Sequence, residues 1–237
     1  MRNQFAFFLE RVGNHFGFEF ILRDKAVKLR DMIQAPVRSV IDVGAHSGIL
    51  ARNFLKAFPQ AKLYCFEPLP GPFKKLSLWA DRKKGRVKVF NFALGEKEGE
   101  LPIFITVDYE PSSSLLRSTE TCHRIYPFTK KQEPLSVRVE TLDGVMARLE
   151  EPLSPEILIK LDVQGYEDRV IKGGLQTFHK ARACILEVGL DTLYEQQASF
   201  EALLALLKNT GFRYAGNLEQ SYADDGHTIF IDGVFLK

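Results

Sequence analysis

Val40-Ile41-Asp42-Val43-Gly44-Ala45-His46-Ser47-Gly48 is an apolar, β-branched run that ends in an acid and breaks into a glycine turn. A continuous run of this kind reads as a parallel strand buried on both faces and feeding a helix. Ile49 to Phe58 supplies that helix, with Leu50, Phe54, Leu55 and Phe58 at helical intervals. Gly44 can take a turn conformation closed to residues with a Cβ, and Gly48 lets the first helical turn approach whatever lies in the crevice. A ligand is therefore expected at the end of this strand.

The spacing narrows the ligand. A dinucleotide fingerprint places three glycines as G-x-G-x-x-G, so that backbone and helix N-terminus cradle a pyrophosphate. This chain has G-x-x-x-G, an acid two residues before the first glycine, and no basic residue in the turn. An acid there repels a pyrophosphate and suits a ligand carrying an ammonium group. S-adenosylmethionine carries an ammonium and a sulfonium. Glu67 closes the next apolar run, Leu63-Tyr64-Cys65-Phe66, where a carboxylate can accept both hydroxyls of a ribose. The plain alternative leaves Asp42 and Glu67 as solvated strand ends.

The 237 residues suit one α/β domain with an extra segment, and 45% hydrophobic residues suffice for a sizeable core. Thirty-two basic against thirty acidic residues give a net charge of +2, too balanced to argue for nucleic acid or an anionic membrane. Three cysteines, an odd number, suggest neither a disulfide framework nor a cysteine zinc site and point to a reducing, cytoplasmic compartment. Phe5 to Leu9 is apolar but is cut off by Glu10 and Arg11, too short for a signal segment or a membrane span.

Residues 1–36 are expected to form an N-terminal helical segment, amphipathic through Phe5, Phe8, Leu9, Val12 and Phe16, and residues 37–237 the main domain. After Glu67, Phe73 to Ala80 reads as a helix and Arg86 to Phe92 as a third strand. Phe92, Ala93 and Leu94 stand where strand order places an adenine pocket. Leu101 to Val107 and Leu135 to Glu140 suggest an inserted antiparallel excursion. Residues 108–134 have no clean period and read as a substrate lid in preference to an inert loop. Residues 157–167, Ile-Leu-Ile-Lys-Leu-Asp-Val-Gln-Gly-Tyr-Glu, repeat the opening pattern: an apolar strand, an acid and a glycine turn. Asp162 and Glu167 should emerge at the same sheet edge as Asp42 and Glu67. A single helix from Val170 to Phe178, a fifth strand at 183–188, a helix from Phe200 and two last strands complete a doubly wound, mostly parallel α/β sheet with an antiparallel last strand.

Taken together, Ile41-Asp42-Val43-Gly44, Phe66-Glu67-Pro68, Ala93-Leu94-Gly95, Ser113-Ser114, Thr141-Leu142-Asp143 and the run from Lys160 to Glu167 resemble the FkbM family of S-adenosylmethionine-dependent methyltransferases. The resemblance covers about residues 38–190 and implies a class I methyltransferase (Rossmann-like) fold and methylation of a hydroxyl on a sugar or natural product. It implies cofactor contacts from Asp42, Gly44, His46, Gly48, Glu67, Phe92, Ala93 and Leu94. The family commonly has Asn at position 46 and Glu at position 164, where this chain has His46 and Gln164; the second change removes a carboxylate from the active edge.

An alkyl hydroxyl is a poor nucleophile while protonated, so a base is expected. Asp162 is the first candidate because it ends the strand where the transferred methyl should sit, and Glu167 is the second. Glu167 could instead favour the N-terminus of its helix. A divalent ion held by Asp162, Glu187 and a histidine is an alternative, but no tight His or Asp cluster supports a metal. His123 is a further candidate base, although a loop histidine is more often simply exposed. Two other functions fit the same sheet, a non-catalytic S-adenosylmethionine-binding protein and a nicotinamide-dependent oxidoreductase. The expected partner is a small-molecule or glycan hydroxyl acceptor, with no nucleic acid and no stable membrane insertion.

Overall fold

The computed structural model describes residues 36–237, together with Arg30 and Ile33. The N-terminal helical segment expected over residues 1–36 lies almost wholly outside the described residues. From residue 39 onward the described residues form ten strands and seven α-helices. The main sheet has seven strands in the order β3-β2-β1-β7-β8-β10-β9. These are β1 (Ser39–Val43), β2 (Lys62–Phe66), β3 (Val87–Phe90), β7 (Ile157–Leu161), β8 (Ala183–Gly189), β9 (Arg213–Tyr222) and β10 (Thr228–Leu236). Strands β1, β2, β3, β7 and β8 run parallel, and β10, last in the chain, lies antiparallel between β8 and β9. The chain leaves β1 outward to β2 and β3, then returns to add β7 on the other side of β1. A crevice opens at such a reversal, outside the carboxyl ends of the two central strands.

The apolar runs form strands because both faces of this sheet are covered. Ile41, Val43, Ile159, Leu161, Leu186 and Val188 share one core. Val40, Leu63, Cys65, Leu158, Ile185 and Val234 share the other, so the period-two alternation separates two buried layers. Helices α1 (Ile49–Ala57) and α2 (Pro70–Ala80) cover the second layer through Ala51, Phe54, Leu76 and Ala80. Helices α4 (Leu142–Ala147), α5 (Glu167–Lys172), α6 (Leu175–Lys180) and α7 (Phe200–Asn209) cover the first through Val145, Val170, Phe178 and Leu207.

Three expectations are corrected. The third strand ends at Phe90, and Ala93–Leu94 is a separate strand, β4, in a second sheet with β5 (Gly99–Thr106) and β6 (Gln132–Glu140). Strands β5 and β6 are the expected antiparallel excursion. The single helix expected over Val170–Phe178 starts earlier and is two helices, broken at Gly173-Gly174. A Cβ on Gly173 would lie 2.0 Å from the Gly95 carbonyl oxygen, so the chain turns where it crosses the β4 exit. Residues 108–134 are not a patternless loop: they hold 3-10 turns at Glu110–Ser112 and Pro127–Thr129, helix α3 (Glu120–Ile125) and the start of β6. Thr119 caps α3 by accepting the Cys122 N–H. Leu116 and Cys122 supply the apolar face, buried against Leu193, Tyr194 and Ile229.

Candidate active site

A cleft of about 910 Å³ opens over the carboxyl ends of β1, β2 and β7 and beneath residues 108–115. At its centre is the turn after β1. Gly44 has φ +80°, and a Cβ there would stand 1.9 Å from the Asp162 carbonyl oxygen, so only glycine lets the two strand exits touch. The N–H groups of Gly44 and Ala45 both donate to Phe66 O, tying the turn to β2. His46 is also left-handed, at φ +46°. Its N–H donates to Glu67 Oε2 (2.8 Å), while Leu69 N–H donates to Oε1 (2.8 Å). Glu67 is thereby fixed at the cleft wall with one lone pair on each oxygen still available.

Burial raises the carboxyls of both strand-end acids. Asp42, 1% exposed, is pushed up to about 7 by desolvation, partly offset by the Lys160 ammonium. Its Oδ2 is buried without a hydrogen-bond partner. Glu67 is likewise pushed up to about 7 by burial, against the two N–H groups that favour its charge. The His46 ring is driven the other way, its pKa lowered mainly by desolvation. Its Nε2 stands 3.5 Å from Glu110 Oε2, too far for a good hydrogen bond.

On the β7 side, Asp162 projects into the cleft with its side chain 37% exposed. Lys160, paired with Asp42 in the β1–β7 register, is 3% exposed and reaches back to Asp162 Oδ2 at 3.1 Å. Burial works against its charge, but the carboxylates of Asp162, Asp232, Glu187 and Asp42 outweigh this and raise its pKa. Gln164 then joins two carboxyls: its Nε2 donates to Asp162 Oδ1 (2.8 Å) and Glu187 Oε1 (2.7 Å). Its Oε1 accepts the Tyr194 hydroxyl at 2.6 Å. Glu187 is raised well above the usual carboxylate range, first by burial and then by Asp162 and Asp232.

The cleft brings together Asp42, Gly44, His46, Glu67, Phe92, Ala93, Leu94 and Asp162 as the sequence suggests. Gly48 does not line it. Its left-handed turn serves helix packing instead, since a Cβ there would meet Leu76 Cδ1 at 2.6 Å. Glu167 lies beneath the cleft, 3% exposed, where its Oε1 accepts the N–H groups of Val163 and Gly165 and holds the turn after β7. His123 is off the cleft, its Nε2 2.8 Å from Ser118 Oγ. Among the described residues no group of three or more His, Cys, Asp or Glu could hold a metal ion. Lys160, Glu187, Tyr194 and Asp232 also line the cleft, and sequence reading left Lys160, Tyr194 and Asp232 out. The one available signal was the lysine interrupting an otherwise apolar buried run.

Comparison with known proteins gives a consistent picture. The sequence matches the methyltransferase FkbM domain over residues 42–214. It is 30% identical over 190 residues to the 2-O-methyltransferase NoeI of Sinorhizobium fredii, covering 74% of this chain and 73% of that one. It is 24% identical over 147 residues to the hexuronic acid methyltransferase AglP of Haloferax volcanii, covering 62% of this chain and 52% of that one. Among solved structures, a methyltransferase FkbM from Methylobacillus flagellatus superposes with a TM-score of 0.53 at 13% identity, over 85% of this chain and 44% of that one. An S-adenosylmethionine-dependent methyltransferase from Clostridium acetobutylicum superposes at 0.52 with 8% identity, over 99% and 98% of the two chains. These two likenesses establish the class I methyltransferase fold.

Proposed function

The chain belongs to the FkbM methyltransferase family, and from that premise we propose that the cleft binds S-adenosylmethionine between Asp42 and Glu67 and transfers its methyl group to a hydroxyl presented beside Asp162. It is an S-adenosylmethionine-dependent O-methyltransferase acting on a sugar or natural product. The oxidoreductase and non-catalytic alternatives therefore fall away. The observation that carries the assignment of the site is the meeting of three strand ends at one crevice: Glu67 after β2, the Gly44 turn after β1 and Asp162 after β7.

The residues present fit the cofactor. Glu67 keeps free lone pairs for two vicinal hydroxyls, Asp42 carries a buried oxygen with no partner, and Phe92, Ala93 and Leu94 offer an apolar wall for a flat base. When bound, S-adenosylmethionine supplies an electrophilic methyl carbon on a sulfur that leaves as a neutral thioether. Everything else falls to the chain. Residues 108–115 bound the cleft, and Tyr109, Tyr126 and Phe128 offer the acceptor aromatic surface. Holding the acceptor oxygen in line with the methyl supplies much of the rate. Asp162 accepts the hydroxyl proton.

The 2-O-methylation named for NoeI and the hexuronic acid named for AglP support a hydroxyl of a glycan or glycoside as the acceptor here. The test is transfer of radiolabelled methyl from S-adenosylmethionine to a panel of methyl glycosides, followed by mass spectrometry of the product. A gain of one methylene unit on a hydroxyl is expected; label on nitrogen alone, or no transfer by protein that binds the cofactor, would overturn it.

A further inference from the structure

Two carboxyl groups at the floor of the acceptor side, Asp162 and Glu187, are both within hydrogen-bonding distance of one nitrogen. We propose that Gln164 is a positioning residue for methyl transfer: its carboxamide joins Asp162 to Glu187 where a bridging cation would otherwise stand, and so holds Asp162 to receive the acceptor's proton. The inference rests on the reading of the cleft given above.

The hydrogen-bond inventory of an amide makes this specific. A carboxamide has two N–H donors and one carbonyl acceptor. Here one N–H serves each carboxyl, at 2.8 and 2.7 Å, and the carbonyl takes the Tyr194 hydroxyl at 2.6 Å. Only this orientation supplies donors to both carboxyls and an acceptor to the phenol. Tyr194 is 4% exposed and lies also 3.2 Å from the Ser112 carbonyl in the roof of the cleft. Gln164 itself sits at φ +55°, a left-handed conformation that residues with side chains rarely adopt, and its backbone carbonyl accepts the Ser114 hydroxyl at 2.7 Å. The strained backbone is thus fastened from the roof, and its effect is to bring the carboxamide between the two carboxyls.

Asp162 benefits on both oxygens. Oδ1 takes the amide and Oδ2 takes Lys160 Nζ, which fixes the carboxylate plane at the edge of the cleft. In the reaction the acceptor oxygen forms its bond to the methyl carbon as the carbon–sulfur bond breaks. The hydroxyl proton moves to Asp162, and the sulfur leaves with the electron pair as a neutral thioether, so charge and atoms balance. A glutamate side chain of the same shape at this position would have no donor and would set a third carboxylate against the first two. Such a cluster must gather a proton or a cation.

The experiment is a carboxyl ¹³C NMR titration of the full chain with S-adenosylhomocysteine bound and Asp and Glu side chains labelled, which requires no acceptor. Magnesium chloride is added to wild type and to Gln164→Glu, and rates on the methyl glycoside panel are read in parallel. Wild-type Asp162 and Glu187 signals should be indifferent to magnesium. Gln164→Glu should take up about one further proton near neutral pH and should respond to magnesium. Its turnover should fall roughly 100-fold at pH 8 and recover as pH drops, with KM for S-adenosylmethionine within about threefold of wild type. Tyr194→Phe is the milder variant should Gln164→Glu not fold, and should shift the Asp162 signal and slow turnover about fivefold. Wild-type signals that move with magnesium would overturn the proposal, as would variants that titrate like wild type. A wild type that methylates none of the glycosides would instead refute the acceptor assignment and leave the titration to judge Gln164.

Discussion

Replacing Glu67 with alanine should weaken S-adenosylmethionine binding in a way that depends on pH. Glu67 is 4% exposed, and burial lifts its carboxyl to about 7 in the free protein. Near pH 7 about half of the molecules carry the neutral acid; the ionised fraction is about one in eleven at pH 6 and ten in eleven at pH 8. Ribose hydroxyls donate to the carboxylate and favour its charged form. Affinity through Glu67 should therefore rise close to tenfold between pH 6 and pH 8, with a proton released on binding in the lower part of that range. At pH 8 a charge-assisted hydrogen bond contributes about 1.5–3 kcal/mol, so Glu67→Ala should raise Kd roughly 10- to 150-fold. At pH 6 the difference between variant and wild type should shrink. Asp42, also lifted to about 7, titrates in the same window, so the wild-type-minus-variant difference is the quantity to read. Isothermal calorimetry in buffers of differing ionisation enthalpy measures affinity and proton release together. A folded Glu67→Ala protein with unchanged Kd, or a difference that does not vary with pH, would refute the assignment of Glu67 to the ribose.

Gly44→Ala places a Cβ 1.9 Å from the Asp162 carbonyl oxygen at φ +80°, so it should cost about 2–4 kcal/mol in a urea melt and abolish cofactor binding; a native-like melt with intact binding would contradict the packing described. Glu167, lifted to about 7 by burial, holds its proton in the folded state after the unfolded chain has released it near 4.5. Its contribution to stability therefore falls as pH rises through that interval. Glu167→Gln keeps an acceptor for Val163 and Gly165 and removes the titration. The variant should gain up to about 3 kcal/mol relative to wild type between pH 4 and pH 8, and parallel pH–stability curves would count against this.

The central sheet was legible because β1, β2, β7 and β8 are short apolar runs, and Asp42, Glu67 and Asp162 stand at or just beyond the ends of three of them. Their meeting in one cleft follows from strand order. What escaped depends on partners remote in the chain. Lys160 reads as an interruption until Asp42, Glu187 and Asp232, from three other strands, are seen around it. Leu116 and Cys122 are too widely spaced to show a period, and the residues they bury against come from positions 193, 194 and 229. Gly48 reads as a turn residue and Gly173 as the interior of a helix, yet one accommodates Leu76 and the other breaks the helix against the Gly95 backbone. Glu167 stands as close to the glycine turn as Asp162 does, and only its bonds to Val163 and Gly165 show that it holds the turn from beneath.

The most direct test of the account is the turnover of Asp162→Asn with saturating S-adenosylmethionine on an acceptor that wild type methylates. Asn keeps the size of Asp162 and an oxygen for Lys160 or Gln164, but it cannot take up the acceptor's proton. Turnover should fall by about 10²- to 10⁴-fold while the Kd for S-adenosylmethionine stays within about threefold of wild type. Near-native turnover in this variant would contradict the claim that Asp162 carries the proton in methyl transfer.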